Sequence, residues 1–301
     1  MRFMCRKKCV PPVDSVSQRN SGPTTGLKTN KKPEVSNFFR VLIKGRIKIR
    51  LLYLKRYDTP LMNIKCKYYC YRKTREPNHC KAYSPKEIKL VLFDMDGVLT
   101  DIMSSWKYVH DYFGTCNDQS VDDYLKGEID DLEFIRRDVS LWQKNDKPVT
   151  RDKLVEILSD IPIMNGAEKC ITALKEHGIK TAIVSAGLDI LAERVASDLG
   201  IDYVFANGIK TDKNGCISDE GLLGVQLMYK DKNVRKLSKR LEIPFEGIVA
   251  VGNSCFDIPM FEVCGLGIAF NPEDDCTRQA ADVVVEEKDL SKILPHIDKY
   301  I

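Results

Sequence analysis

Ten residues set the strongest constraint on how this chain folds. Ile88-Lys-Leu-Val-Leu-Phe93 is a short, almost continuous apolar run that stops at Asp94-Met-Asp96-Gly97. A run this short, with no alternating polar face, reads as a strand buried on both sides. Such strands belong to parallel sheets covered by helices. Two carboxylates and a glycine at its end put charge where sheets of this kind bind ligands.

The rest of the chain repeats the pattern. Residues 104 to about 163 show only helical periodicity, carried by Trp106, Val109 and Phe113, then Leu132, Ile135, Val139 and Trp142, then Leu154, Ile157 and Leu158. After that, strand and helix alternate. Strands are expected at Thr181–Val184, Asp202–Phe205, Gly247–Val251, Leu266–Ala269 and Asp282–Val285. Helices are expected at Ile190–Leu199, about Lys232–Leu241, Asp257–Val263 and from Leu290 onward, with a hairpin turn at Asp212-Lys-Asn-Gly215. This alternation predicts an α/β fold: an open, doubly wound, mostly parallel sheet with helices on both faces and an inserted helical cap domain.

The chemistry is expected at the carboxyl ends of those strands. The first end carries Asp94, Asp96, Thr100 and Asp101; the second carries Ser185-Ala186-Gly187; Gly252-Asn253-Ser254-Cys255-Phe256-Asp257 follows the Gly247–Val251 strand, and Lys230 precedes the helix leading into it. Each alone is an ordinary turn or helix cap. Together, and in this order, they are not explained by structure.

The four elements resemble the four motifs of the haloacid dehalogenase superfamily. The best fit is to the phosphoserine-phosphatase-like branch, and it covers about Lys89 to Ile301. The resemblance implies a magnesium-dependent phosphomonoester hydrolase acting on a small phosphorylated metabolite. In it Asp94 is the nucleophile, and Asp96 the general acid and then base. Lys230 is the neutralising cation, preferred over Lys232 because it stands four residues before Val234. Ser185, Ala186 and Gly187 hold the phosphate, and Asp94, Asp96, Asn253 and Asp257 are the metal ligands. The roles make physical sense. A carboxylate is ionised at neutral pH and attacks phosphorus without a base, and two anions meet only if cations stand between them.

Two positions depart from the pattern. Relatives carry Asp where this chain has Asn253, so magnesium binding is expected to be weaker. Phosphoserine phosphatases place an acidic residue roughly where Met103 falls, and their carboxylate-holding arginine aligns nearest Asp138, beside Arg136 and Arg137. Phosphoserine, a sugar or nucleotide phosphate, and a non-catalytic phosphate-binding role therefore all stay open, as does a solvated helix face for the two arginines.

Charge divides the chain. Residues 1–61 hold 15 Lys and Arg against 3 Asp and Glu, whereas the remaining residues hold 32 basic and 40 acidic side chains. The leader, poor in periodicity, reads as weakly ordered and dispensable; it is either a targeting peptide or sequence upstream of a start at Met62. No nucleic-acid partner is expected for the acidic core. Cys66, Cys70, His79 and Cys80, spaced C-x3-C-x8-H-C, are candidate zinc ligands in a short segment over 62–87, though paired C-x2-C knuckles are lacking. The 11 cysteines are scattered and odd in number, which points to reduced thiols and a cytoplasmic protein. No apolar run is long enough to span a bilayer. Four parts result: the leader 1–61, the segment 62–87, a catalytic core of 88–101 with 164–301, and a helical cap at 102–163.

Overall fold

The computed structural model describes residues 83–143 and 148–301. The basic leader and the candidate zinc ligands Cys66, Cys70, His79 and Cys80 lie outside the described residues.

The apolar run becomes the central strand β1 (Leu90–Phe93), with every residue fully buried. It pairs in parallel with β2 (Lys180–Leu188) on one side and β5 (Ile248–Gly252) on the other, so that Leu92 lies between Ala182 and Ala250. Beyond them lie β3 (Tyr203–Thr211) and β4 (Ile217–Leu222) at one edge and β6 (Leu266–Phe270) and β7 (Val283–Val285) at the other. The sheet order is β4-β3-β2-β1-β5-β6-β7, parallel except for the antiparallel β3–β4 pair.

Alternate residues of β1 feed two cores. Val91 and Phe93 join a layer with Leu174, Leu191 and Val195, whereas Leu90 and Leu92 join a layer with Val234, Leu237, Met260 and Phe261. The first layer is built by helices α5 (Ala167–Glu176) and α6 (Asp189–Leu199), the second by α7 (Asp231–Leu241) and α8 (Ile258–Val263). Each large apolar side chain buried this way contributes about 1.5–3 kcal/mol, so a charged residue at Leu92 would collapse one layer. The chain leaves β1 toward β2 on one side and returns to β5 on the other. That reversal opens a crevice above the end of β1.

Between β1 and α5 the described residues form four helices: α1 (Ser105–Phe113), α2 (Asp118–Lys126), α3 (Asp131–Trp142) and α4 (Arg151–Ser159). The chain enters and leaves this stretch side by side, with Asp101 N–H donating to Pro162 O at 3.0 Å and Met164 N–H to Leu99 O at 2.8 Å. Ser104, Asp130 and Thr150 cap three of the helices by accepting backbone N–H bonds. Inside, the rings of Trp106 and Trp142 stack at 5.5 Å, and the Trp142 indole donates to His110 Nδ1 at 3.0 Å. Asp138, almost fully buried, accepts two bonds from the Asn117 amide at 3.1 Å and lies 3.5 Å from His110 Nε2.

Several sequence expectations need adjustment. Leu132 is 44% exposed, because α3 turns Ile135, Val139 and Trp142 inward and leaves its first turn outside. Strand β2 runs on through Leu188, with an irregular register between Val184 and Leu188, so Ser185–Gly187 lie in a bulged strand and not in a loop after it. Strand β3 continues to Thr211 and folds back as β4. The turn is closed by Asp212 Oδ1, which accepts from the Asn214 and Cys216 N–H groups. The closing helix is fragmented: Leu290–Ile293 is a 3-10 turn and only Leu294–Ile297 (α9, after the short helix Asp275–Ala280) is α-helical. Pro295 explains this, since it lacks the N–H that would continue the ladder. Among the described residues no helix is long and apolar enough to cross a membrane.

Candidate active site

The fold brings the ends of β1, β2 and β5 and the start of α7 to one place. Lys230, immediately before α7, is buried with its Nζ 2.9 Å from Asp94 Oδ1 and 2.7 Å from Asp257 Oδ1. One ammonium thus bridges two carboxylates, and all three groups are buried. Burial opposes the charge on Lys230, but the negative charges of Asp257 and Asp94 outweigh it and hold the ammonium above its ordinary pKa. Lys232, the rival, lies on the surface and donates to Gln226.

Asp94 is under the opposite pressure. Burial and the neighbouring charge of Asp257 push its carboxyl up to about 7, against the pull of Lys230. One cation does not balance two buried anions. Asp257, fully buried, is itself well supplied with donors: besides Lys230, its Oδ2 accepts from the Asn253 N–H at 3.0 Å, the Ser254 N–H at 3.0 Å and the Ser254 hydroxyl at 3.2 Å.

Asp96 is held by the first turn of α1. Its Oδ2 accepts from the Ser105 N–H at 2.8 Å and the Ser105 hydroxyl at 2.9 Å, and a negative charge there faces the positive end of the helix dipole. Its Oδ1 is buried and finds no hydrogen-bond partner among the described residues. Burial raises the pKa of this carboxyl, and the two Ser105 bonds only partly offset it. A buried carboxyl with one oxygen satisfied and one bare is well suited to carry a proton.

Ser185 is buried, and its Oγ accepts from the Gly187 N–H at 3.1 Å. Ala186 O accepts from the Trp106 indole at 3.0 Å, which ties this stretch to α1. A side chain at Gly187 would come within 2.9 Å of Met95 Cε, Ser105 Oγ and Asp96 Oδ2, so only glycine lets β2 approach the carboxylates this closely. Gly97 is required twice over: its φ of +80° is left-handed, and a Cβ there would lie 2.1 Å from Asn253 Nδ2. The Asn253 amide therefore rests directly on the loop after β1. Its Nδ2 donates to Glu273 Oε1 at 3.2 Å.

All the residues singled out in the sequence, Asp94, Asp96, Ser185, Ala186, Gly187, Lys230, Asn253 and Asp257, are thus clustered at these strand ends. The candidates for substrate selection are not. Arg136 pairs with Glu133 at 2.6 Å, and Arg137 with Asp123 at 2.6 Å and Glu133 at 2.9 Å, on the surface of α3. Met103 is 47% exposed. Sequence reasoning missed Ser105, Trp106 and Glu273. The Ser104-Ser105 pair at a helix start was the signal for the first, whereas nothing local marked Glu273.

Comparison with known proteins agrees with this geometry. Residues 88–265 match the haloacid dehalogenase-like hydrolases. A phosphoserine phosphatase of Methanocaldococcus jannaschii is 30% identical over 226 residues, which cover 70% of this chain and 99% of that protein. One from Campylobacter jejuni subsp. doylei is 31% identical over 217 residues, covering 69% and 98%. A solved phosphoserine phosphatase carrying a phospho-aspartyl intermediate analogue superimposes with a TM-score of 0.60 at 30% identity, over 70% of this chain and 100% of that one. The match spans the strand ends that carry Asp94, Ser185 and Asn253, and the chain belongs to the haloacid dehalogenase-like hydrolases, in their phosphoserine-phosphatase-like branch.

Proposed function

We propose that the protein is a cytoplasmic, magnesium-dependent phosphomonoester hydrolase that works through a phosphoaspartate on Asp94, with phosphoserine as its substrate. The observation that carries the mechanism is the buried Asp94–Lys230–Asp257 bridge at 2.9 and 2.7 Å. It holds a nucleophile at the end of the central strand beside a fixed positive charge.

Asp94 Oδ attacks phosphorus, the bond from phosphorus to the ester oxygen breaks, and Asp96 gives its proton to the departing alkoxide. Asp96, now ionised, takes a proton from water as the water's oxygen attacks the phosphorus of the acyl phosphate. Phosphate leaves and Asp94 is restored. The bare Oδ1 of Asp96 and its raised pKa fit both halves of that cycle. The Ser185 hydroxyl and the glycine-bearing backbone around Gly187 receive the phosphoryl oxygens.

The donor set fits magnesium. Among the described residues no group of three or more His, Cys, Asp and Glu side chains forms a metal cluster. Hard oxygens at these strand ends would supply the ligands: the Asp94 carboxylate, the Asp96 carbonyl and the oxygen of the Asn253 amide, which packs on Gly97. Asp257 has its oxygens taken up by Lys230, Asn253 and Ser254 and serves to orient the lysine. Burial and the charge of Asp257 raise the pKa of Asp94, and a cation beside it would favour its ionised form. When bound, the dication neutralises the meeting of carboxylate and phosphate.

The helices α1–α4 form the cap over this crevice, spanning 102–163. One observation favours a second substrate class. Arg136 and Arg137 are engaged by Glu133 and Asp123, and Met103 offers no charge to an amine, so none of these three side chains is set aside for an amino acid. A sugar or nucleotide phosphate, which needs neither an amine nor a carboxylate partner, is the second reading. Turnover of p-nitrophenyl phosphate with and without magnesium tests the mechanism, and a panel of phosphorylated metabolites, phosphoserine included, tests the substrate. Metal-independent turnover would contradict the first claim, and a sugar phosphate preferred over phosphoserine would contradict the second.

A further inference from the structure

Asn253 puts a neutral amide where a dication needs charge, and the structure shows what stands behind it. Strands β5 and β6 are neighbours, with Gly252 opposite Ala269. The chain leaving β6 bends back over the end of β5. There the Glu273 N–H donates to Asn253 O at 2.8 Å, and Glu273 Oε1 accepts from Asn253 Nδ2 at 3.2 Å. An amide has one donor end and one acceptor end. With Nδ2 claimed by Glu273, the acceptor Oδ1 is the end left for a cation.

We propose that Glu273 is the positioning carboxylate of the cation site. It fixes the Asn253 amide so that Oδ1 is presented to the cation, and it supplies, one side chain further out, the negative charge that Asn253 lacks. This rests on the magnesium-dependent reading above. Carboxylates that orient a ligand from behind tune affinity by roughly 10–100-fold. The plainer role, anchoring the loop, is already filled by other groups. The Glu273 backbone N–H holds Asn253 O, and Asp274 Oδ2 accepts from the Cys255 N–H at 2.9 Å while Asp274 Oδ1 caps the following helix at Thr277 N. The Glu273 side chain adds to these bonds only its contact with the Asn253 amide.

The experiment is manganese binding to the full chain, followed by electron paramagnetic resonance with magnesium as competitor, alongside melting of the metal-free protein. Four proteins are compared: wild type, Glu273→Gln, Asn253→Asp and the double variant. Glu273→Gln keeps the shape and removes the charge. Manganese affinity is expected to fall about tenfold or more, with the metal-free melting temperature unchanged. In the double variant the charge sits on the ligand itself, and affinity returns at least to the wild-type level. Affinity within twofold of wild type in Glu273→Gln overturns the proposal. So does a parallel loss of affinity and metal-free stability that Asn253→Asp fails to rescue, because that is the signature of loop anchoring. A wild-type protein that hydrolyses phosphomonoesters without binding manganese or magnesium overturns the metal-dependent reading itself, and the role of Glu273 falls with it.

Discussion

The strand ends of the sheet and the helices α1–α4 treat polar side chains in opposite ways. At the strand ends, buried polar groups are left under tension. Lys230 serves two carboxylates, Asp94 is driven up to about 7, and Asp96 Oδ1 has no partner among the described residues. In the helices, most polar groups are paired among themselves: Asp138 with Asn117, His110 Nδ1 with Trp142, and Arg137 with Asp123; the exception is His110 Nε2, which is buried 3.5 Å from Asp138 without a hydrogen-bond partner among the described residues. Buried charges with shifted pKa values mark a functional site. Polar groups paired with one another mark scaffolding. On the proposed function, the difference teaches that the reaction is built into the sheet, whereas choice of substrate falls to the helices α1–α4.

If that contrast is right, changes at the strand ends must disturb chemistry far more than fold-compatible changes in the helices. The largest effect is expected for Asp94→Asn, which removes the nucleophile and should lower turnover of any phosphomonoester by at least ~10³-fold. Steady-state kinetics at saturating magnesium checks it. Lys230→Met should cost roughly 10²–10³-fold in kcat. It should also destabilise the protein by about 3–5 kcal/mol, as expected when one partner of a buried ion pair is removed. Denaturant unfolding beside kinetics separates the two losses. Asp138→Ala, in the helices, should invert the pattern. It leaves the Asn117 amide unsatisfied, lowers stability by about 1–3 kcal/mol and keeps kcat in the surviving folded fraction.

A pH experiment sharpens the same contrast. The carboxyl of Asp94 is raised from an ordinary 3.8 to about 7 by burial and by Asp257. A raised carboxyl favours the folded state only while protonated. Its contribution is therefore full below about pH 4 and is lost as pH rises through 7. Metal-free wild type should accordingly lose more melting temperature between pH 5 and pH 8 than Asp94→Asn does. Added magnesium should flatten the wild-type curve and move the acid limb of activity to lower pH. The smallest effect is expected for Arg136→Ala and Arg137→Ala. If both arginines only decorate the surface of α3, KM for phosphoserine changes by less than about twofold, in keeping with weak exposed ion pairs. A large rise in KM in either variant would return those residues to the substrate site.

The same contrast explains what was legible in the sequence. The run Ile88–Phe93 declares a buried parallel strand, and Asp94, Asp96, Ser185, Lys230, Asn253 and Asp257 are readable because a strand end has a fixed place in this kind of sheet. The hairpin turn at 212–215 was readable from its turn residues, and the family model and the relatives agree with the fold and the activity. Helix α2 was not, for its few apolar residues, Val121, Tyr124 and Leu125, make a short stripe. The bulge at Ser185–Gly187 was read as a loop because small residues in a strand look like a turn until the pairing with β3 is seen. Glu273 was invisible for a more basic reason. Its partner Asn253 lies 20 residues away on the neighbouring strand, and only the folded sheet brings them together.

The central claim is that Asp94 itself becomes phosphorylated. Its most direct test is to mix the full-length protein with ³²P-labelled substrate and magnesium, quench in acid within one turnover, and map the label by peptide mass spectrometry. The account predicts an acid-stable, base-labile phosphoryl group on the peptide carrying Asp94 in wild type, and none on the Asp94→Asn variant. Label on a serine or histidine, or wild-type turnover that persists in the Asp94→Asn variant, would contradict it.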